Sequence, residues 1–284
     1  MKKIRLVLAG TGNFSKTIFL SLIKDPRFEV VALISQPNKE FDRNKNILLT
    51  PVASLANEFN IKLFQPNKTK EIYEELSALE FDFFMTAAFG QLIPTSILKL
   101  PKILPLNVHG SILEKYRGAA PIQHALLNDE KETGITLIEM VDKMDAGDIL
   151  KEFKIGIKKE DTALDLFSRL AEQTSRVIGD WIFDIYNGNY KRRIQDESLV
   201  TFASKIKNED AQLFNEMKTN EALNKIRAFN DQPGAFIIHN NKRLKIYRAT
   251  QEKIKTPLKI AFSDGFLYLI EYQFEGKKRV LHEV

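Results

Sequence analysis

The chain contains no cysteine. Disulfides, thiolate nucleophiles and cysteine-ligated zinc are therefore excluded, and the lack fits a reducing, cytoplasmic setting. Histidine is scarce as well. The four are His109, His124, His239 and His282, and no two stand at a metal-ligand spacing. No metal is expected. Long apolar runs are also lacking: none approaches the ~20 residues that cross a bilayer. The run Ile4–Ala9, after Met1-Lys2-Lys3, is too short for the core of a signal peptide. It reads as a first β-strand ended by the turn Gly10-Thr11-Gly12.

Neither sign of charge dominates, yet the balance is uneven along the chain. The net charge is +5 over 284 residues. Residues 1–204 hold 27 basic and 27 acidic side chains, whereas residues 205–284 hold 15 and 10. A neutral body with a basic tail points to a polyanionic partner for the second part. The length allows two domains, each with its own core.

Short apolar runs alternate with helical spacing through the first half. Ile4–Ala9, Glu29–Ser35, Ile61–Phe64, Phe81–Ala87 and Leu104–His109 read as strands. Phe14–Lys24, Pro51–Asn60 and Thr69–Leu79 read as helices, with Thr50-Pro51 as a capped first turn. This alternation predicts an α/β fold, a doubly wound and mostly parallel sheet covered on both faces. Gly134–Met140 and Asp148–Phe153 read as later strands, and Thr162–Tyr186 as a long amphipathic helix.

Asn187-Gly188-Asn189 breaks the pattern. The reading is a first domain over 1–189, a linker over 190–204 and a basic second domain over 205–284. A helix over Lys207–Ala228 and the short runs Ala235–His239, Leu244–Ala249, Lys259–Ala261 and Phe266–Glu271 predict a small β-barrel there.

Gly10-Thr11-Gly12 invites comparison with a dinucleotide fingerprint, but Ser15 stands where the third glycine belongs. The second strand also ends at Ser35-Gln36-Pro37 without the acid that holds a ribose hydroxyl. NAD is not expected. A stronger signal is Asn107-Val108-His109-Gly110-Ser111, at the carboxyl end of a predicted buried strand, where open α/β sheets bind ligands. Alternation puts Asn107 and His109 on one face. An amide N–H beside an imidazole suits an oxyanion at a tetrahedral centre. Asp145, in the glycine-containing loop Asp142–Asp148, is placed to approach His109 and orient it. Asp142 and Asp148 themselves read as solvated turn residues. A serine hydrolase is disfavoured because no nucleophile elbow surrounds Ser111.

These residues resemble the folate-dependent formyltransferases. The motifs run Asn107–Leu113, then Tyr116-Arg117-Gly118-Ala119-Ala120-Pro121-Ile122, then Met144–Ile149. The resemblance implies Asn107, His109 and Asp145 as the catalytic three and 10-formyltetrahydrofolate as co-substrate. It implies a folate site at Ser111, Ile112, Leu113 and Glu114, flanked by Phe89, Gly90 and Asp142. Three further matches resemble the branch that formylates initiator Met-tRNA: the insertion from Gln36-Pro37 to Thr50-Pro51-Val52, Ile226–Asn230 with Pro233-Gly234-Ala235, and Ser263-Asp264-Gly265 with Glu275-Gly276-Lys277-Lys278-Arg279. On that basis the second domain is an OB-like barrel, and Arg43, Lys45, Lys242 and Arg248 are candidate tRNA contacts.

The chain departs from the family pattern in three places. Gly12 stands for a proline, Glu114 stands for the proline of a Ser-Leu-Leu-Pro stretch, and Asp42-Arg43-Asn44-Lys45 keeps both basic residues of the insertion without its glycines. A formyltransferase acting on a nucleotide sugar or other small amine is the competing enzyme reading; it needs no basic second domain. A non-catalytic RNA-binding protein would not need Asn107, His109 and Asp145 together. No membrane or obligate protein partner is expected.

Overall fold

A computed structural model describes residues 2–41 and 47–282. Two compact units are present, and both are discontinuous in sequence. The first comprises Met1–Arg117, Gly134–Lys154 and Ser168–Thr201; the second comprises Gly118–Thr133, Ile155–Phe167 and Phe202–Val284.

The first unit is built on a seven-stranded sheet. Its strands in chain order are β1 (Ile4–Gly10), β2 (Phe28–Ile34), β3 (Leu63–Phe64), β4 (Phe83–Ala87), β5 (Leu104–His109), β6 (Glu132–Glu139) and β7 (Ile149–Gly156). The spatial order is β7-β6-β5-β4-β1-β2-β3. Pairing is parallel from β3 across to β5, and β6 joins β5 antiparallel. The chain first adds strands on one side of β1 and then returns to add β4 on the other, so the strand order reverses at β1/β4. Central strands β1 and β4 are apolar on both faces because both faces are covered. Leu6, Val7, Leu8, Phe83 and Phe84 are all fully buried.

The helices follow their local signals closely. α1 (Asn13–Lys24) leaves the Gly10-Thr11-Gly12 turn, and Ser15 Oγ donates to Ala87 O at 2.5 Å, tying α1 to the end of β4. α2 (Pro51–Phe59) is capped by Thr50, whose Oγ1 accepts from Ala53 N at 3.1 Å. The helix predicted over Thr69–Leu79 is a 3₁₀ turn, Thr69–Ile72, followed by a short α-helix, Tyr73–Ser77.

The second unit carries β8 (Phe236–His239), β9 (Lys242–Thr250), β10 (Lys259–Phe262), β11 (Gly265–Phe274) and β12 (Val280–Leu281). The expected barrel is an open antiparallel sheet instead. Its order is β8-β9-β11-β10, with β12 also on β11, and no pairing among the described residues joins the edge strands β8 and β10. The helix expected over Lys207–Ala228 is α3 (Thr219–Ala228). Ahead of it, Glu209–Ala211 is a 3₁₀ turn, and Leu213 N donates to Phe236 O at 2.7 Å, so the chain at Gln212 and Leu213 runs beside β8 instead of continuing a helix. Asp264 then caps α3 from a distance, its Oδ1 accepting from Thr219 N at 2.7 Å.

Candidate active site

The ends of β4 and β5 bring the first polar groups together. Thr86 on β4 is directly opposite Asn107 on β5, and its hydroxyl donates to Asn107 Oδ1 at 2.8 Å. That contact fixes the amide's orientation and turns Nδ2 outward as a donor. One Nδ2 hydrogen goes to Asp145 Oδ1 at 3.1 Å. The other carboxylate oxygen, Oδ2, lies 3.5 Å from His109 Nδ1. Asn107 and His109 therefore meet one carboxylate from one strand face, as alternation predicted.

His109 is 4% exposed, and its Nε2 lies 2.9 Å from Tyr116 O. A carbonyl only accepts, so Nε2 carries a proton. Nδ1 is then the position that faces Asp145.

Asp145 sits at φ +52°, a left-handed conformation uncommon outside glycine. Two residues on, a Cβ at Gly147 would overlap the Glu139 carbonyl oxygen, so the loop returns to the sheet through a glycine.

The loop after β5 is held by Thr136 of β6. This fully buried hydroxyl donates to Ser111 O at 2.7 Å and accepts from Leu113 N at 3.1 Å. Ser111 Oγ donates to Lys115 O at 2.7 Å. Leu113 packs with Ile138 and Ile149. Ile112 is half-buried. Glu114 is largely buried, and its Oε1 accepts from Arg193 Nη1 at 2.9 Å and Asp196 N at 3.1 Å. The charge expected beside a ligand is thus paired within the unit. Phe89 is buried, and its carbonyl accepts from Gln36 Nε2 at 2.8 Å; Gly90 follows at φ +77°. Asp142 accepts from the Thr95 hydroxyl and is exposed.

The stretch read as a linker contributes to this site. Gln195, 6% exposed, donates through Nε2 to Asp145 O at 2.8 Å and Gly147 O at 2.7 Å, and its Oε1 accepts from Arg117 Nε at 3.0 Å. Arg117 Nη2 reaches Glu197 at 2.9 Å, and Glu197 accepts from Lys143 at 2.8 Å. The hydrogen bond from Lys143, then that from Arg117, holds the Glu197 carboxyl below its usual range. Sequence reasoning missed Thr86, Thr136 and Gln195. Thr86 had a signal, a lone polar residue inside the apolar run Phe83–Ala87. Gln195 had none.

The four candidate tRNA contacts fare differently. Arg43 and Lys45 lie outside the described residues. Lys242 is exposed and forms no ion pair among the described residues. Arg248 is half-buried and pairs with Asp165 at 2.9 Å and Glu271 at 3.8 Å. The alternation that would put Lys242 and Arg248 on one face breaks at a bulge: the register passes from Ile246↔Tyr272 to Arg248↔Glu271 and then to Ala249↔Leu269. A polar cleft of about 580 Å³ in the same unit is lined by Lys205, Lys245, Gln123 and Asn208.

The formyl transferase model matches residues 2–182, and the formyl transferase C-terminal domain model matches residues 205–283. The methionyl-tRNA formyltransferase of Mycoplasmopsis pulmonis is 48% identical, over 98% of this chain and 96% of that one. That of Lactobacillus johnsonii is 37% identical, over 97% and 92%. Among solved structures, the sugar 3N-formyl transferase WlaRD, crystallised with dTDP and 5-N-formyl-THF, is 25% identical with a TM-score of 0.72. It covers 98% of this chain and 100% of its own. The methionyl-tRNA formyltransferase from Clostridium thermocellum, 16% identical with a TM-score of 0.61 over 88% and 94%, shares the fold.

Proposed function

The chain belongs to the formyl transferase family, and on that premise we propose that it formylates the free α-amine of initiator methionyl-tRNA, using 10-formyltetrahydrofolate. The observation that carries the chemistry is the single carboxylate, Asp145, met by Asn107 Nδ2 and His109 Nδ1 at the end of β5. An amide donor, an imidazole and a carboxylate fit a formyl carbon under attack by an amine. The folate supplies that carbon on its N10.

Asn107 Nδ2, oriented by Thr86, offers its second hydrogen to the formyl oxygen, and His109 Nδ1–H offers another. Both bonds strengthen as negative charge develops there. Asp145 takes a proton from the attacking amine, directly or through water, and holds the His109 ring in place. A carbon–nitrogen bond to the amine forms as the bond to N10 breaks, and one proton ends on N10. The folate lies against Ser111–Glu114, with Phe89, Gly90 and Asp142 on the adjoining loops.

The acceptor follows from the relatives and from the charge of residues 205–284, which hold 15 basic and 10 acidic side chains. Lys242 and the lysines of the polar cleft, Lys205 and Lys245, suit phosphate contacts, and Arg43 and Lys45 are assigned the same role from the insertion. Initiator tRNA places the reaction in the cytoplasm. A nucleotide-sugar amine is the second reading, supported by the likeness to WlaRD along its whole length. The test is a direct competition assay with 10-formyltetrahydrofolate against charged initiator tRNA and an amino-sugar nucleotide. Formylation of the sugar nucleotide alone would overturn the tRNA reading.

A further inference from the structure

The segment after the long helix Ala163–Tyr186 is anchored immediately before Gln195. Arg193 and Ile149 exchange two backbone hydrogen bonds, each 2.9 Å. Ile149 opens β7, directly after the Asp145 loop, so the segment runs beside the return limb of that loop. Burying the Gln195 amide is costly unless its polar atoms are satisfied. Both Nε2 hydrogens are used on loop carbonyls, Asp145 O and Gly147 O, which flank Ala146. Two carbonyl acceptors on one side and the Arg117 Nε donor on the other leave only one orientation for the amide.

The ring of contacts closes on the same loop through Arg117, Glu197 and Lys143. Lys143 and Glu197 are both well exposed, so their ion pair adds little. Gln195 is the buried side chain that bonds the backbone on both sides of Ala146. Asp145 needs such a hold. Its backbone is in the left-handed region, and its side chain must meet Asn107 and His109 together.

We infer that Gln195 is a positioning residue for Asp145: its amide clamps the backbone on both sides of Ala146 and thereby sets where the carboxylate lies. The inference rests on the catalytic reading of Asp145 given above. It predicts a loss confined to the chemical step, because a displacement of about an ångström at a reacting group costs up to ~10²-fold in rate.

A double-mutant cycle tests it. Gln195→Met keeps the length and removes the hydrogen bonds. Gln195→Glu sets a carboxylate against the two carbonyls while keeping a partner for Arg117. Each is made in the native chain and in an Asp145→Asn background. Melting temperature, folate affinity, kcat and KM for Met-tRNA are measured, with rates normalised to the folate-binding fraction so that partial unfolding does not enter. The expected result is a kcat loss of about 10- to 100-fold in the native background with little change in KM or folate affinity. In the Asp145→Asn background the same substitutions should cost less than about twofold, since the group they position has gone. Equal losses in both backgrounds, or a native kcat in the single variants, overturn the proposal. A native kcat for Asp145→Asn alone overturns the underlying assignment of Asp145, and is separately visible.

Discussion

Around Asp145, the side chains of Asn107, His109 and Gln195 each meet polar partners of their own unit, and only Arg117 Nη1 among these neighbours is left without one. Around Arg248, cations are matched to carboxylates of their own unit. The first cluster converges on one carboxylate, with Asn107 Nδ2 and His109 Nδ1 both against Asp145. The second cluster spends much of its charge internally. Arg248 meets Asp165 and Glu271, and Arg279 meets Glu271 at 2.7 Å and Asp231 at 3.1 Å. Arg227 is 7% exposed and donates to the carbonyls of Lys158 and Lys159. A count of positive residues therefore overstates what a polyanion meets, whereas three residues in the right order understate how well a site is built.

The largest expected effect breaks the first cluster. Asp145→Asn is isosteric, so folate affinity and melting temperature should stay nearly native while kcat falls by roughly 10²-fold or more. Measuring all three together distinguishes loss of a base from loss of the site. The second cluster breaks differently. Arg227→Ala leaves two carbonyls and the Asn224 amide oxygen without their donor, and should cost about 2 kcal/mol or more of stability. Chemical denaturation reads that loss, and the salt dependence of tRNA binding should not change in slope.

A pair of charge reversals sharpens the contrast. Lys242→Glu should weaken tRNA binding and flatten the log–log salt slope by about one, as expected for a lost phosphate contact. Arg248→Glu should act mainly on stability, because its partners are Asp165 and Glu271; an equal change in slope for both variants would mean that Arg248 is exchanged from those partners to tRNA.

The smallest effect is a pH dependence. For Asp165, burial opposes ionisation, but hydrogen bonds from Thr162 and the charge of Arg248 outweigh it and lower the carboxyl below its ordinary value. A depressed acid stabilises the fold fully above its unfolded value, about 3.9, and loses that contribution as the pH falls through the lower folded one. Asp165→Asn should therefore flatten the fall in stability below about pH 4. An unchanged acid limb would show that Asp165 titrates alike in both states.

Much of the architecture was legible because it is written in local patterns. Ile4–Ala9, Phe81–Ala87 and Leu104–His109 are apolar runs of strand length, and each is a strand within one or two residues at its ends. Thr50-Pro51 announced the start of α2 and capped it. The stretch Lys207–Met217 misled for a physical reason: its helical spacing yields only the 3₁₀ turn Glu209–Ala211, and at Gln212 and Leu213 pairing with Phe236 of β8 prevails.

By itself, the sequence determined a mostly parallel α/β unit, the end of β5 as a candidate site, and Asn107 and His109 on one face. Period-two alternation and strand order are consequences of neighbours along the chain. Only the tertiary structure decided that Gln195 belongs to the Asp145 loop. The same holds for Thr86 as the residue that orients Asn107, for the pairing of Glu114 with Arg193, and for the carboxylates that absorb Arg248. It also decided that Gly118–Thr133 and Ile155–Phe167 join the second unit. Each of these depends on partners many residues apart, 83 in the case of Arg248 and Asp165. No periodicity encodes such pairs: hydrogen bonds and ion pairs act over a few ångströms, and only folding brings the groups within reach.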